Sequence, residues 1–156
     1  MGGVIMKCLL AIAGIFIGDE KIKQYIEKEK EEGKREEILN GTVLLTKHHN
    51  RGAVFNWKQE NPQGVLITSC IAFGGVLTLL GQSFVKDSHR IYKLGLSVIT
   101  GGALSNLYDR IKRGYVVDYF IIQKKPWNRV IFNLSDWCIF IGGALTMLGS
   151  LMKKEK

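Results

Sequence analysis

Cysteine is scarce in this 156-residue chain and forms no pattern. Cys8, Cys70 and Cys138 are an odd number, lack C-x-x-C spacing and lie inside apolar runs. That argues against a disulfide framework or a zinc site and leaves small buried apolar side chains as the reading. Also missing are the G-x-S-x-G elbow, the H-E-x-x-H pair and a glycine loop carrying Lys and Ser/Thr for phosphate. His48 and His49 are adjacent and His89 sits in a short basic loop, so none has metal-ligand spacing. Ser69, Ser97 and Ser105 have no histidine placed to serve them. No metal and no organic cofactor is expected. There is no internal repeat and no low-complexity linker, so a single domain over residues 1–156 is the expectation.

Charge is missing from long stretches. The chain is 46% hydrophobic, and its charged residues gather in blocks between apolar runs. A water-soluble protein intersperses its charges, whereas a membrane protein sends them to loops and ends. Runs near 4–23, 64–85, 91–109 and 134–152 predict four spans, each needing about 20 residues. The first, Val4 to Gly18 with Lys7, is short and reaches only as a tilted helix continued through Asp19 to Tyr25. A cleaved leader ending near Ala11-Ile12-Ala13 is its rival reading. The third carries Gly101, Gly102, Ala103 and Ser105, small residues that let helices approach closely in a bilayer.

The net charge of +8 raises nucleic acid as a partner. The basic residues flank apolar runs instead, as with Lys86, Arg90 and Lys93, or Lys153, Lys154 and Lys156. Such residues meet anionic lipid headgroups, and no nucleic-acid motif accompanies them. Orientation stays open on charge alone. The loop at Lys86 to Lys93 and the C-terminus are basic, but so is the stretch from Arg110 to Arg129.

Between the spans lie segments of another kind. Glu20 to Glu37 is dense in Glu and Lys at i,i+4 spacing, for example Lys30 with Lys34, and predicts an amphipathic helix at the headgroup level. Asn40-Gly41 marks a turn, and Thr42 to Thr46 a short strand. Gly52 to Phe55 is a candidate to continue a small sheet, and Gly114 to Gln123, β-branched and aromatic, is another strand.

Three carboxylates stand where the surroundings do not call for them. An ionisable group at membrane depth costs about 2.5–3.5 kcal/mol, which makes it a functional candidate. Asp109 closes the third span, opposed by the helix dipole, and needs Arg110 or another cation beside it. Asn106 lies one turn earlier, so the three form a candidate polar cluster, structural or catalytic. Asp118 interrupts Val116-Val117-Asp118-Tyr119-Phe120, a strand pattern from which Asp is depleted. Asp136 has two readings: Asn133 and Asp136 have the spacing of a capping box, and a carboxylate in a first helical turn is favoured anyway. Together, Asp118 and Asp136 suggest a pair sharing a proton, one activating water and the other protonating a leaving amine.

These residues resemble a known family. Asn106-Leu107-Tyr108-Asp109-Arg110 followed by Val116-Val117-Asp118-Tyr119 is similar to the Asn-x-x-Asp-Arg and Val-Val-Asp-Phe motifs of type II (lipoprotein) signal peptidases. Phe132-Asn133-Leu134-Ser135-Asp136 resembles that family's Phe-Asn-x-Ala-Asp. Asn50-Arg51-Gly52-Ala53-Val54-Phe55 resembles its Asn-x-Gly-Ala-Ala-Phe, and Asp19 with Lys23 its early Asp-Gln-x-x-Lys. Ser105, Tyr119 and Ser135 depart from the usual glycine, phenylalanine and alanine, and Glu20 and Ile22 depart in the early motif.

The resemblance implies a mainly α membrane protein: a four-helix transmembrane bundle with a small extracytoplasmic β cradle and a surface helix. It implies an aspartic endopeptidase of the bacterial cytoplasmic membrane, working near the extracytoplasmic face. Its partners would be lipid-modified prolipoproteins, cut before the diacylglyceryl-cysteine, and membrane lipids, with no nucleic acid; a monomer is the expectation. Asp118 and Asp136 fall on the catalytic positions, while Asn50, Asn106, Asp109, Arg110, Asn133, Asp19 and Lys23 fall on supporting or substrate-binding ones. Ile67-Thr68-Ser69-Cys70 looks like the lipidation box of such substrates, but it lies mid-chain in a span and reads as packing. The competing hypothesis is a non-catalytic four-helix assembly module that uses its polar cluster for packing.

Overall fold

The computed structural model describes residues 2–52, 60–86 and 88–152. Four long helices dominate: α1 (Gly2–Glu29), α2 (Pro62–Val85), α3 (Arg90–Lys112) and α4 (Leu134–Leu151). Three strands, β1 (Glu36–Ile38), β2 (Val43–Asn50) and β3 (Val116–Ile122), form one antiparallel sheet in the order β1-β2-β3.

The helices are apolar on the outside. Leu9, Leu10, Ile17, Ile67, Ile71, Leu148 and Leu151 are all at least half exposed. In α1 and α2 only 11% of the most apolar stretch is buried within the protein, and in α4 17%. These three helices are long and apolar enough to cross a membrane. The fully buried side chains, by contrast, include Asp19, Lys23, Ser97, Asp109 and Asn133. Water would reverse that distribution; hydrocarbon favours it, because lipid covers apolar faces without penalty while polar groups must find partners inside. The protein is therefore an integral membrane protein.

α3 is the helix the others surround, packing against α1, α2 and α4. Its polar residues follow from that position. Ser97 and Thr100 return their hydroxyls to the carbonyls of Lys93 and Leu96, so burial leaves them satisfied. Small residues bring the backbones together. A Cβ on Gly95 would lie 2.8 Å from the Gly142 carbonyl, and one on Gly102 would lie 2.5 Å from that of Ser135. The second approach seats the start of α4 against the middle of α3.

The segment Glu20 to Glu37 is not one amphipathic helix. Its first part continues α1 to Glu29; its last part is β1, with Glu36 opposite Leu45 and Ile38 opposite Val43. Gly33, at φ +77°, breaks the helical path, and its N–H donates to the Lys47 carbonyl at 3.0 Å. Pairing with the edge of β2 outweighs the modest helix preference of Glu and Lys. The turn at Asn40-Gly41 forms, with Leu39, Asn40 and Gly41 all at positive φ. β2 runs unbroken through His48 and His49 to Asn50, beyond the expected end at Thr46. Residues 53–55, expected to extend the sheet, and Lys153, Lys154 and Lys156 lie outside the described residues. Cys8 is buried, but Cys70 is exposed on the outer face of α2, contrary to its reading as a buried side chain. The apolar surroundings of Cys70 in the sequence reflect lipid exposure as readily as a protein core.

Candidate active site

β3 and the start of α4 bring Asp118 and Asp136 to the same place. Asp118 is in the middle of β3, opposite His48 of β2 and almost completely buried. An irregularity in β2 between Leu45 and His48 shifts the register, so that Asn50 comes opposite Val116. From there Asn50 Nδ2 donates to Asp118 Oδ2 at 3.0 Å, while its Oδ1 accepts the Gly52 N–H at 3.0 Å. The second bond orients the amide so that its donor end faces the carboxylate.

Asn133 caps α4 and links both carboxylates. Its Nδ2 donates to Asp118 Oδ1 at 2.8 Å, and its Oδ1 accepts the Asp136 N–H at 2.9 Å. Asp136 completes the capping box by accepting the Asn133 N–H on Oδ2 at 3.1 Å. The capping and functional readings of Asp136 are thus compatible. One oxygen caps the helix; the other, Oδ1, accepts from Asn106 Nδ2 at 3.0 Å. Asn106 is held in turn through its Oδ1, which accepts from Asn133 Nδ2 at 3.2 Å and from Lys23 Nζ at 3.0 Å.

Both carboxylates line one cavity of about 360 Å³ between α2, α3, α4 and β3. Asn50, Asn106 and Arg110 add the rest of its strongly polar lining, while Phe73, Val76, Ile99, Ile139 and Phe140 make much of the wall apolar. Burial, and after it the neighbouring Asp136 carboxylate, push Asp118 up to about 7. The amides of Asn50 and Asn133 and the charge of Lys23 pull the other way and are outweighed. A carboxyl in that state holds or releases a proton near neutral pH, as acid–base chemistry needs.

Arg110 does not pair with Asp109. Adjacent helical residues point in different directions; Arg110 reaches the carbonyls of Asn106 and Gly52, both at 3.1 Å, and faces the cavity. Asp109 is paired instead by Arg113, one turn along the same face, and by Lys23 at 2.9 Å. It also accepts the Val117 N–H at 3.2 Å, fixing β3 to the end of α3. Arg113 continues outward to Glu20 with bonds of 2.6 and 3.0 Å.

Asp19 and Lys23, matched only to the spacing of an early motif, form a fully buried ion pair at 2.8 Å beneath Asn106. Sequence reasoning did not assign Arg113 or Glu20 to this cluster, although the i,i+4 spacing of Asp109 and Arg113 was a usable signal. Ser105, Tyr119 and Ser135 were not among the expected site residues, yet each places its hydroxyl against Asp19.

The chain is similar to known proteins over most of its length. The family described as signal peptidase (SPase) II matches residues 11–152. A lipoprotein signal peptidase of Caldicellulosiruptor bescii is 36% identical over 118 residues, which is 76% of this chain and 72% of that protein. One from Brucella ovis is 31% identical over 131 residues, 83% of this chain and 80% of its own. A solved structure described as a bacterial membrane enzyme, determined by the in meso method, superposes with a TM-score of 0.81 at 25% identity, covering 97% of this chain and 95% of its own. A second of the same description, at 24% identity and a TM-score of 0.78, shares the fold. With nearly its whole length matched, this chain belongs to the signal peptidase II family and is a peptidase of the hydrolase class.

Proposed function

We propose that the protein is an aspartic endopeptidase in which Asp118 and Asp136 are the catalytic pair, and that it removes signal peptides from lipid-modified prolipoproteins. The observation that carries this reading is the shared cavity: two carboxylates from separate elements line it, and one amide, Asn133, is bonded to both residues. With one proton between them, the ionised member takes a proton from water as it attacks the scissile carbonyl. The protonated member gives its proton to the departing amine. Asn50, Asn106 and Asn133 hold the oxygens in place without a countercharge, and so leave the pair free to titrate. Arg110 supplies positive charge beside the developing oxyanion. The apolar wall of the cavity suits a signal-peptide segment and an acyl-bearing cysteine.

In this reading α3 spans the membrane with α1, α2 and α4 as one domain of four spans, and a single copy suffices. The sheet and the dyad lie at the extracytoplasmic side of the cytoplasmic membrane. The packing-module alternative is not favoured, because a cluster serving only to join helices has no need of two carboxylates facing a cavity.

The test is conversion of a diacylglyceryl-modified prolipoprotein by purified protein in detergent. Asp118→Asn and Asp136→Asn are each expected to slow cleavage by about 10²–10⁴-fold, the range of lost acid–base catalysis. Wild-type rates in both variants would remove the dyad assignment.

A further inference from the structure

Beneath the dyad lies a second carboxylate with an unusual set of partners. Asp19 is completely buried. Its Oδ2 accepts from Lys23 Nζ at 2.8 Å, Ser105 Oγ at 2.7 Å and Ser135 Oγ at 2.5 Å. Its Oδ1 accepts from the Tyr119 hydroxyl at 2.9 Å. Four donors fill about four lone-pair positions, and they come from α1, α3, α4 and β3. The hydroxyl geometry is not the default for helices in this protein. Thr68, Ser69, Thr78, Ser97, Thr100 and Thr146 all turn back to the carbonyl four residues earlier. Ser105 and Ser135 instead reach across to another helix.

Lys23 is the link to the chemistry. Its ammonium has three protons for four acceptors within 3.0 Å: Asp19, Asp109, Ser105 and Asn106. Together with the Asn133 amide, its bond to Asn106 Oδ1 sets which end of that amide faces Asp136. We propose that Tyr119 and Ser135 are positioning residues for the peptidase reaction: by donating to Asp19 without taking a proton from Lys23, they leave the ammonium able to hold Asn106 against the dyad. This inference rests on the assignment of Asp118 and Asp136 as the catalytic pair.

The physical reason is a competition for one cation. Without the hydroxyls, Asp19 keeps Lys23 as its donor and draws the ammonium toward itself, away from Asn106. Asn106 then loses the shorter of the two contacts that aim Nδ2 at Asp136, keeping only the Asn133 amide at 3.2 Å. Tyr119 has a further part, because its oxygen also accepts the Leu134 N–H at 2.8 Å and so ties Asp19 to the first turn of α4. Burial and the Asp19 charge hold the Tyr119 phenol above its ordinary range, which keeps it a donor.

The readout is the pH dependence of cleavage, which does not depend on how much of a preparation is folded. The charged and titratable groups around Asp19, Lys23 and the dyad are Glu20 on α1, Asp109 and Arg110 on α3 with Arg113 just beyond it, and Tyr119 on β3. Cys138 lies on α4, and His48 on β2 is opposite Asp118; α2 carries no ionisable side chain except the exposed Cys70. Lys23 favours the ionised form of Asp118. Withdrawing it therefore moves both limbs of the pH profile upward.

Ser135→Ala and the near-isosteric Tyr119→Phe are to be compared with wild type on the same diacylglyceryl-modified prolipoprotein. The expected result for each is a kcat lower by about tenfold, an unchanged KM and a pH profile displaced to higher pH. An unmoved profile, whether kcat falls or holds, would mean the hydroxyls only support the fold and would overturn the inference. Asp118→Asn serves as the control. If it is inactive while the hydroxyl variants keep the wild-type profile, this inference alone fails. If it retains wild-type activity, the dyad assignment fails and takes this inference with it.

Discussion

The polar interior has two layers that solve the same problem differently. In the upper layer, Asp118 and Asp136 receive their hydrogen bonds from amides and a backbone N–H: Asn50, Asn106 and Asn133. In the lower layer, Asp19 and Asp109 are held by Lys23 and Arg113. A cation at hydrogen-bond distance fixes a carboxylate as a permanent charge, whereas an amide orients it and leaves its proton affinity adjustable. The layer that faces the cavity is the one held without a cation at hydrogen-bond distance. The layer beneath it is a rigid floor joining α1 to α3 and the sheet.

Removing the floor should have the largest effect. Lys23→Met leaves Asp19 without its only cation and Asp109 with one. Breaking a buried pair in this way costs about 3–5 kcal/mol. We expect a large drop in the detergent Tm and loss of cleavage, with thermal unfolding as the measurement. A variant as stable as wild type would mean the floor carries no structural weight and the two layers do not differ as described.

A change in the upper layer should act on rate more than on stability. Asn133→Ala removes the side-chain cap of α4, worth about 1 kcal/mol, and with it the amide that joins the Asp118 carboxylate to the Asp136 N–H. Cleavage is expected to fall by about tenfold or more, with only a modest change in Tm. Comparing the two variants by kcat and by Tm separates the layers directly.

The last prediction concerns pH and stability. Asp118 has its proton affinity raised from the ordinary 3.8 to about 7, so between these values the folded protein holds a proton that the unfolded chain has released. Its contribution to stability is present below the lower value and is lost as pH rises through the upper one. The Tm of wild type should therefore decline from pH 4 to pH 8 relative to that of Asp118→Asn, and the asparagine variant should be the more stable at the alkaline end. Parallel curves would show that Asp118 is an ordinary carboxylate, and the contrast between layers would lose its upper member.

Much of the site was legible in the chain because its residues conflict with their local surroundings. Asp118 breaks a β-branched run, Asp109 opposes a helix dipole, and Asn133 with Asp136 has the spacing of a cap. Such conflicts are local and can be read from a few neighbours. The apolar runs were legible for the same reason, since a helix facing lipid must be uniformly apolar over its length. The small residues at Gly101 and Gly102 anticipated close packing, though not which neighbour each would meet.

What the sequence by itself determined was therefore the set of elements and the suspicion attached to particular carboxylates. Only the tertiary structure decided the pairings. Arg113 rather than Arg110 meets Asp109, β1 takes over the end of a charged segment, and three hydroxyls far apart in the chain meet at Asp19. The Asp19 cluster depends on contacts between elements 86 to 116 residues apart, and the Asp109 pair on the direction of a side chain around a helix. Local propensity carries no information about either. Hydrogen bonds within a buried polar cluster are settled by which donors reach which acceptors once the helices have packed.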